Sequence, residues 1–151
     1  MRTLALALVS IVLLAGSTLA ATQDLTVSAQ VVGTCQFNSA ADVNFGTLDQ
    51  TLTANPTASG SLLFWCTKNA SYLLGDENNP SVGDGKFNGN LTGTVNKETI
   101  AYQLDYTNYS GQGDGKNSPI TSVITATIPN ANYINVSADI YTDTVTFTVT
   151  P

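Results

Sequence analysis

Cys35 and Cys66 are the only cysteines in the 151-residue chain, and histidine is absent. Without imidazole, serine–histidine and cysteine–histidine nucleophile systems are excluded, and the commonest metal ligand is missing. Two thiols can form a disulfide, stay as buried free thiols, or supply half a metal site. The metal reading would need carboxylate partners that no spacing here suggests, so neither a metal nor any other cofactor is expected. In an exported chain an even pair reads as a disulfide. Closing a loop of about 31 residues would stabilise the fold by roughly 3 to 4 kcal/mol in the chain-entropy view.

The remaining chemistry would have to come from acids and lysines. Gly-Asp-Gly-Lys occurs at 83–86 and again at 113–116. Neither is a phosphate loop, because Pro80 and Ser110 stand where the upstream glycine belongs and no Ser or Thr follows the lysine. Two hairpin turns are expected, since Asp-Gly supplies positive φ cheaply. Asp76-Glu77-Asn78-Asn79 resembles part of a calcium loop but lacks the turn glycine and the distal glutamate, and a solvated loop is expected instead. Eleven acids against five basic residues give a net charge of −6. Such a surface repels phosphate backbones, which argues against nucleic-acid partners. No two acids are singled out as a hydrolase pair, and no enzymatic activity is expected. Four Asn-x-Ser/Thr matches, at Asn69, Asn90, Asn108 and Asn135, are the chance yield of a chain this rich in Asn, Ser and Thr.

Residues 1–20 read as a secretory signal peptide: Arg2, an apolar run from Leu4 to Ala15, and small residues before a cleavage site at Ala20. The run is too short for a membrane span. The expected mature domain is 21–151, with no membrane insertion once the signal is cut. Along it, period-two alternation marks strands. Leu25, Val27, Ala29 and Val31 alternate with polar residues, so 25–32 is expected as a strand ended by Gly33-Thr34-Cys35. A short extended piece follows within 42–48, then a loop at 51–60. Leu62, Phe64 and Cys66 share one face of 61–67, and Leu63 and Trp65 share the other. That segment is expected as a central strand pinned through Cys66. Leu63 and Trp65 either face a second layer at a twisted corner or form a contact patch. Further strands are expected at 72–74, 99–106, 120–128, 133–136 and 141–149, with turn-rich stretches at 75–93 and 107–118. In the last strand Tyr141, Val145, Phe147 and Val149 oppose a threonine face, and this strand must be paired inside a sheet. Seven or so short strands indicate a β-sandwich.

Cys35-Gln36-Phe37, Asn44-Phe45-Gly46-Thr47-Leu48, Gly60 to Thr67, Ile100-Ala101-Tyr102-Gln103-Leu104, Ile128-Pro129 and Tyr141 to Val149 together resemble the spore coat protein U family. That family includes the pilins of archaic chaperone–usher pili. The resemblance spans nearly all of 21–151. It departs at Ala138-Asp139, where the family often has a glycine, and in having no arginine in the middle loops. It implies an all-β, immunoglobulin-like sandwich with one disulfide, incomplete because its final strand is missing. A periplasmic chaperone and then another pilin subunit would fill the gap, with an outer-membrane usher as the assembly port. Leu25, Val27, Ala29 and Val31 would be the donor positions, unless 25–32 is the domain's own first strand. Tyr141, Val145, Phe147 and Val149 would line the acceptor side. The implied product is a structural subunit of a cell-surface fibre, secreted through the periplasm. The alternatives are a self-contained coat protein, or a tip adhesin or carbohydrate-binding module in which Trp65, Tyr102, Tyr106 and Tyr109 stack on a sugar.

Overall fold

A computed structural model describes residues 20–78 and 84–151. The expected signal peptide, apart from Ala20, lies outside the described residues, as do Asn79, Pro80 and Gly83. The chain divides into two units, residues 1–30 and 31–151. In the first, the described residues 20–30 are all exposed and carry no strand, helix or turn.

The second unit is all-β, as expected. Its strands are β1 (Cys35–Ala41), β2 (Thr57–Cys66), β3 (Ser71–Asp76), β4 (Lys86–Gly93), β5 (Thr99–Tyr106), β6 (Ser110–Gln112), β7 (Ile120–Thr127), β8 (Tyr141–Thr142) and β9 (Phe147–Thr150). A 3-10 turn, Asn130–Asn132, follows β7. One sheet runs β1-β2-β7-β5-β4-β8 and the other β6-β3-β9. Every pairing between these strands is antiparallel. The alternation in β5 shows why: Ile100, Tyr102, Leu104 and Tyr106 are buried while Thr99, Ala101, Gln103 and Asp105 face out. A strand with one apolar row must lay that row on another layer. Phe64 of β2 does so edge-on to Tyr72 of β3, with ring centroids 5.2 Å apart. The core gathers Leu62, Phe64, Leu74, Phe87, Ile100 and Ile124 with the four inward tyrosines Tyr72, Tyr102, Tyr106 and Tyr133. Gly89 is needed beneath them. A Cβ there would stand 2.5 Å from Phe87 and 2.6 Å from Tyr102.

Several elements differ from the sequence reading. The strand expected over 25–32 is not formed, and the first strand among the described residues is β1. Alternation makes a strand amphipathic, but only a partner strand makes it a strand. Cys35 opens β1 rather than ending an earlier strand. A bulge between Phe37 and Ser39 breaks its side-chain period and hides it. The 42–48 piece is no strand, and 133–136 is a turn rather than extended chain. The loops expected at 51–60, 75–93 and 107–118 hold the start of β2, all of β4 and all of β6. Their Gly, Asn, Ser and Thr residues are tolerated because backbone pairing carries much of the support, with Phe87 anchoring β4 in the core. The terminal strand is broken in two: β8 pairs β4 in the larger sheet, and β9 pairs β3 in the smaller. The Gly-Asp-Gly-Lys stretches are not hairpins either. Asp84-Gly85-Lys86 leads into β4 after β3, and 113–116 joins β6 to β7; each connects different sheets. Gly113 lets its turn lie on the end of β2, where a Cβ would meet the Thr67 carbonyl oxygen at 2.5 Å.

Candidate functional site

The disulfide forms between Cys35 and Cys66, which are directly paired across β1 and β2 with Cα atoms 4.1 Å apart. It ties edge strand β1 to its neighbour β2. Thr67 reinforces the same end: its N–H donates to the Thr34 carbonyl at 2.8 Å, and its Oγ1 accepts from the Thr34 N–H at 3.0 Å.

The edges carry the arrangement of most interest. Leu74, on the core face of central strand β3, is fully sealed. Val149 lies opposite Leu74 and Phe147 opposite Asp76, yet both are only half-buried. The difference is position in the sheet. β9 is an edge, and among the described residues no strand pairs with its other side. Phe147 still reaches inward, 5.3 Å edge-on from Tyr106. β1, the edge of the larger sheet, runs within contact of β9. At the start of β1, Phe37 is 37% exposed even though its ring stands 6.0 Å from Phe64. Val145, Phe147 and Val149 therefore leave a part-open apolar seam along one strand edge, with Phe37 part-open on the neighbouring edge β1. An unpaired edge with apolar positions beside it is what an added strand needs. Phe37 escaped the sequence reading because β1 did. Tyr141 does not join the seam's strand: it lies in β8, paired to Gly93 in the other sheet.

The segment bearing β8 is held by two carboxylates. Asp139 accepts from the Val95 and Asn96 N–H groups at 2.8 and 2.9 Å, from the Thr94 hydroxyl at 2.9 Å and from the Ile140 N–H at 2.7 Å. Glu98 accepts from the Ser137 N–H at 2.6 Å, the Ser137 hydroxyl at 3.0 Å and the Tyr141 hydroxyl at 3.3 Å. Hydrogen bonds to the charged form favour it. The backbone N–H of Asn96 leads in pulling Asp139 down to about 2, and that of Ser137 leads in lowering Glu98. Both folded pKa values lie below the unfolded ones, so this clasp is intact above pH 4.5 and is lost as pH falls through the folded values. We expect amide exchange at Val95, Asn96 and Ser137 to accelerate between about pH 4.5 and 2, and Asp139→Asn to flatten the lower part of that change. Exchange independent of pH across this window, after correction for intrinsic rates, would refute the clasp.

Leu63 and Trp65 lie on the face of β2 opposite buried Leu62, Phe64 and Cys66, and are half-buried. Lys116 Nζ stands 5.9 Å from the Trp65 ring centroid. Tyr102 and Tyr106 are not available to a ligand, being 5% and 3% exposed. Their hydroxyls donate inside the fold, Tyr102 to Asp143 at 2.7 Å and Tyr106 to Asp76 at 2.9 Å. Asp76 is correspondingly fully buried at the end of β3 rather than part of a solvated loop. Burial, with the neighbouring carboxylate, raises both phenols above their usual range. Tyr109 is part-exposed but lies close to Gly85. Among the described residues no group of His, Cys, Asp and Glu is placed to hold a metal ion, and no helix is long and apolar enough to cross a membrane. Leu25, Val27, Ala29 and Val31 are exposed and outside any strand.

Fold and seam define the class: a disulfide-stapled all-β sandwich with a strand edge and an apolar seam beside it. Residues 21–148 match the Spore Coat Protein U domain, and the chain belongs to that family, which is one of coat- and fimbria-type structural proteins. Neither a curated protein nor a solved structure matches it.

Proposed function

We propose that this chain is an exported subunit of a cell-surface fibre, polymerised by donor-strand complementation. Residues 1–20 direct export and are removed. A periplasmic chaperone then covers the β9 edge until, at an outer-membrane usher, another subunit inserts its own 25–31 segment. The observation that carries this reading is the half-buried state of Phe147 and Val149 on an edge strand, opposite positions that are sealed one strand inward. The exposed alternation of Leu25, Val27, Ala29 and Val31 supplies the matching element, with apolar side chains at every second position and a backbone free to pair.

Assembly tests it. Val27→Asp combined with Val31→Asp changes two exposed positions, so the subunit should fold and bind the chaperone normally yet fail to form polymers. A synthetic peptide of residues 21–34 added to wild-type subunit should raise its melting temperature, and the doubly substituted peptide should not. Polymers formed as readily by the double variant would sink the proposal. So would a lone subunit whose β9 amides are already protected on both sides. In that case a self-contained coat protein is the better reading, and the well-filled core around Phe64 and Ile100 favours it as the second choice.

A further inference from the structure

The outer face of β4 and β5 holds a shallow depression of about 210 Å3 that the fibre role leaves unused. Asn88 pairs with Gln103 and Asn90 with Ala101 across the two strands. Directly opposed residues have Cβ atoms about 5 Å apart, and i, i+2 neighbours on one strand are about 7 Å apart. Ala101 therefore forms a low point ringed by three carboxamides. The fourth comes from the turn after β7: Asn132 donates Nδ2 to the Ala101 carbonyl at 2.9 Å, which fixes the group and leaves its Oδ1 as an acceptor. Pro129 completes the wall. The Asn88, Asn90 and Gln103 carboxamides make no hydrogen bond within the described residues, so their donors and acceptors are open to a ligand.

The chemistry of this ring selects its ligand. Each carboxamide offers both a donor and an acceptor, which matches hydroxyl groups that do the same. The lining itself carries no charged side chain. Lys86 and Asp105, the next outward pair on these strands, neutralise one another at 2.8 Å, and the Asp143 carboxylate is engaged by the Tyr102 hydroxyl at 2.7 Å. An anion gains nothing here, and a cation finds no carboxylate in the lining. The Pro129 ring and the Ala101 methyl give a small apolar floor for a C–H face. The volume is below the roughly 300–1,000 Å3 of sites for drug-sized ligands, so it suits a single ring. We propose that this depression binds one ring of a neutral saccharide, with Asn88, Asn90, Gln103 and Asn132 holding its hydroxyls. This site is independent of the seam beside β9 and of strand exchange.

Proton–nitrogen correlation spectra of the purified protein, titrated with methyl glycosides of glucose, mannose and N-acetylglucosamine to tens of millimolar, test it. At least one glycoside should shift amides confined to 88–90, 101–103 and 130–132, with millimolar affinity and no comparable effect from glucuronate. Asn90→Ala with Gln103→Ala removes two exposed groups that hold nothing in the fold and should weaken binding at least tenfold. Ala101→Leu, which fills the low point, should do the same. Absence of shifts with all three glycosides would overturn the assignment. So would binding that survives both variants, or that is lost on Trp65→Ala instead.

Discussion

Loss of the Cys35–Cys66 bond, by reduction or by Cys35→Ala with Cys66→Ala, is expected to lower the unfolding free energy by about 3 kcal/mol. For a domain of this size that is a fall in melting temperature of roughly 10 °C. The bridge closes a 31-residue separation, so its chain-entropy effect is substantial. Its place in the fold adds to this. Among the described residues β1 pairs with β2 alone, and the disulfide sits at the end of that ladder where the two cysteines oppose each other. Cys66 is fully buried, so the bond is also part of the core. The loss should be local before it is global. In reduced protein, amide exchange along Gln36 to Ala41 should rise well before exchange in β5, which has strands on both sides. If reduced and oxidised proteins melt within a degree or two of each other, β1 is held by pairing alone and the bridge is incidental. The alanine pair and chemical reduction separate loss of the bond from the effect of new side chains.

β5 and β7 were readable from sequence because both pack one face against a second layer and leave the other wet. Burial and alternation coincide residue by residue from Ile100 to Tyr106. In β7 Ile124 and Ala126 follow the same rule, while Ser122 is buried and Val123 exposed against their type, Ser122 donating its hydroxyl to the Thr107 carbonyl. The segments that escaped lack that coincidence. β1 carries a bulge after Phe37. β4 places Gly89 inward, where an apolar residue would be expected, because Tyr102 and Phe87 fill the space from neighbouring positions. β6 is exposed throughout and exists only by pairing with β3. The break between β8 and β9 has a different cause. The threonine row from Thr142 to Thr150 reads as one continuous strand. Asp143, however, turns its carboxylate to the Tyr102 hydroxyl, and the chain crosses between sheets there. The seam was half legible for the same reason: Phe147 and Val149 could be named from alternation, while Phe37 could not. Asp76 shows the limit in reverse. An Asp-Glu-Asn-Asn run looks solvated, yet its first member is buried, accepting from the Asn78 N–H at 2.9 Å and from the distant Tyr106 hydroxyl at 2.9 Å, and the second of these could not be read from sequence.

Adjacent alanine substitutions on β2 should differ sharply, and the difference tests the two-layer arrangement on which every site above depends. Phe64→Ala is expected to cost about 3–5 kcal/mol, the usual range for removing a buried phenylalanine. Its ring is fully sealed, edge-on to Tyr72 of the smaller sheet at 5.2 Å and to Phe37 of β1 at 6.0 Å. Truncation therefore opens a cavity and removes a contact that holds one sheet to the other. Leu63→Ala, one residue away, should cost no more than about 1 kcal/mol, because that side chain lies on the outer face and gives up only partial burial. Denaturant melts of the two variants measure the contrast directly, and an unchanged slope would show that the same surface is being exposed. Phe64→Ala should also loosen Phe37 and so widen the seam, raising affinity for an apolar dye while Leu63→Ala does not. Equal costs at 63 and 64 would mean that β2 is buried on both faces. The outer face would then be covered by another layer, and neither the seam nor the carboxamide depression could stand as described.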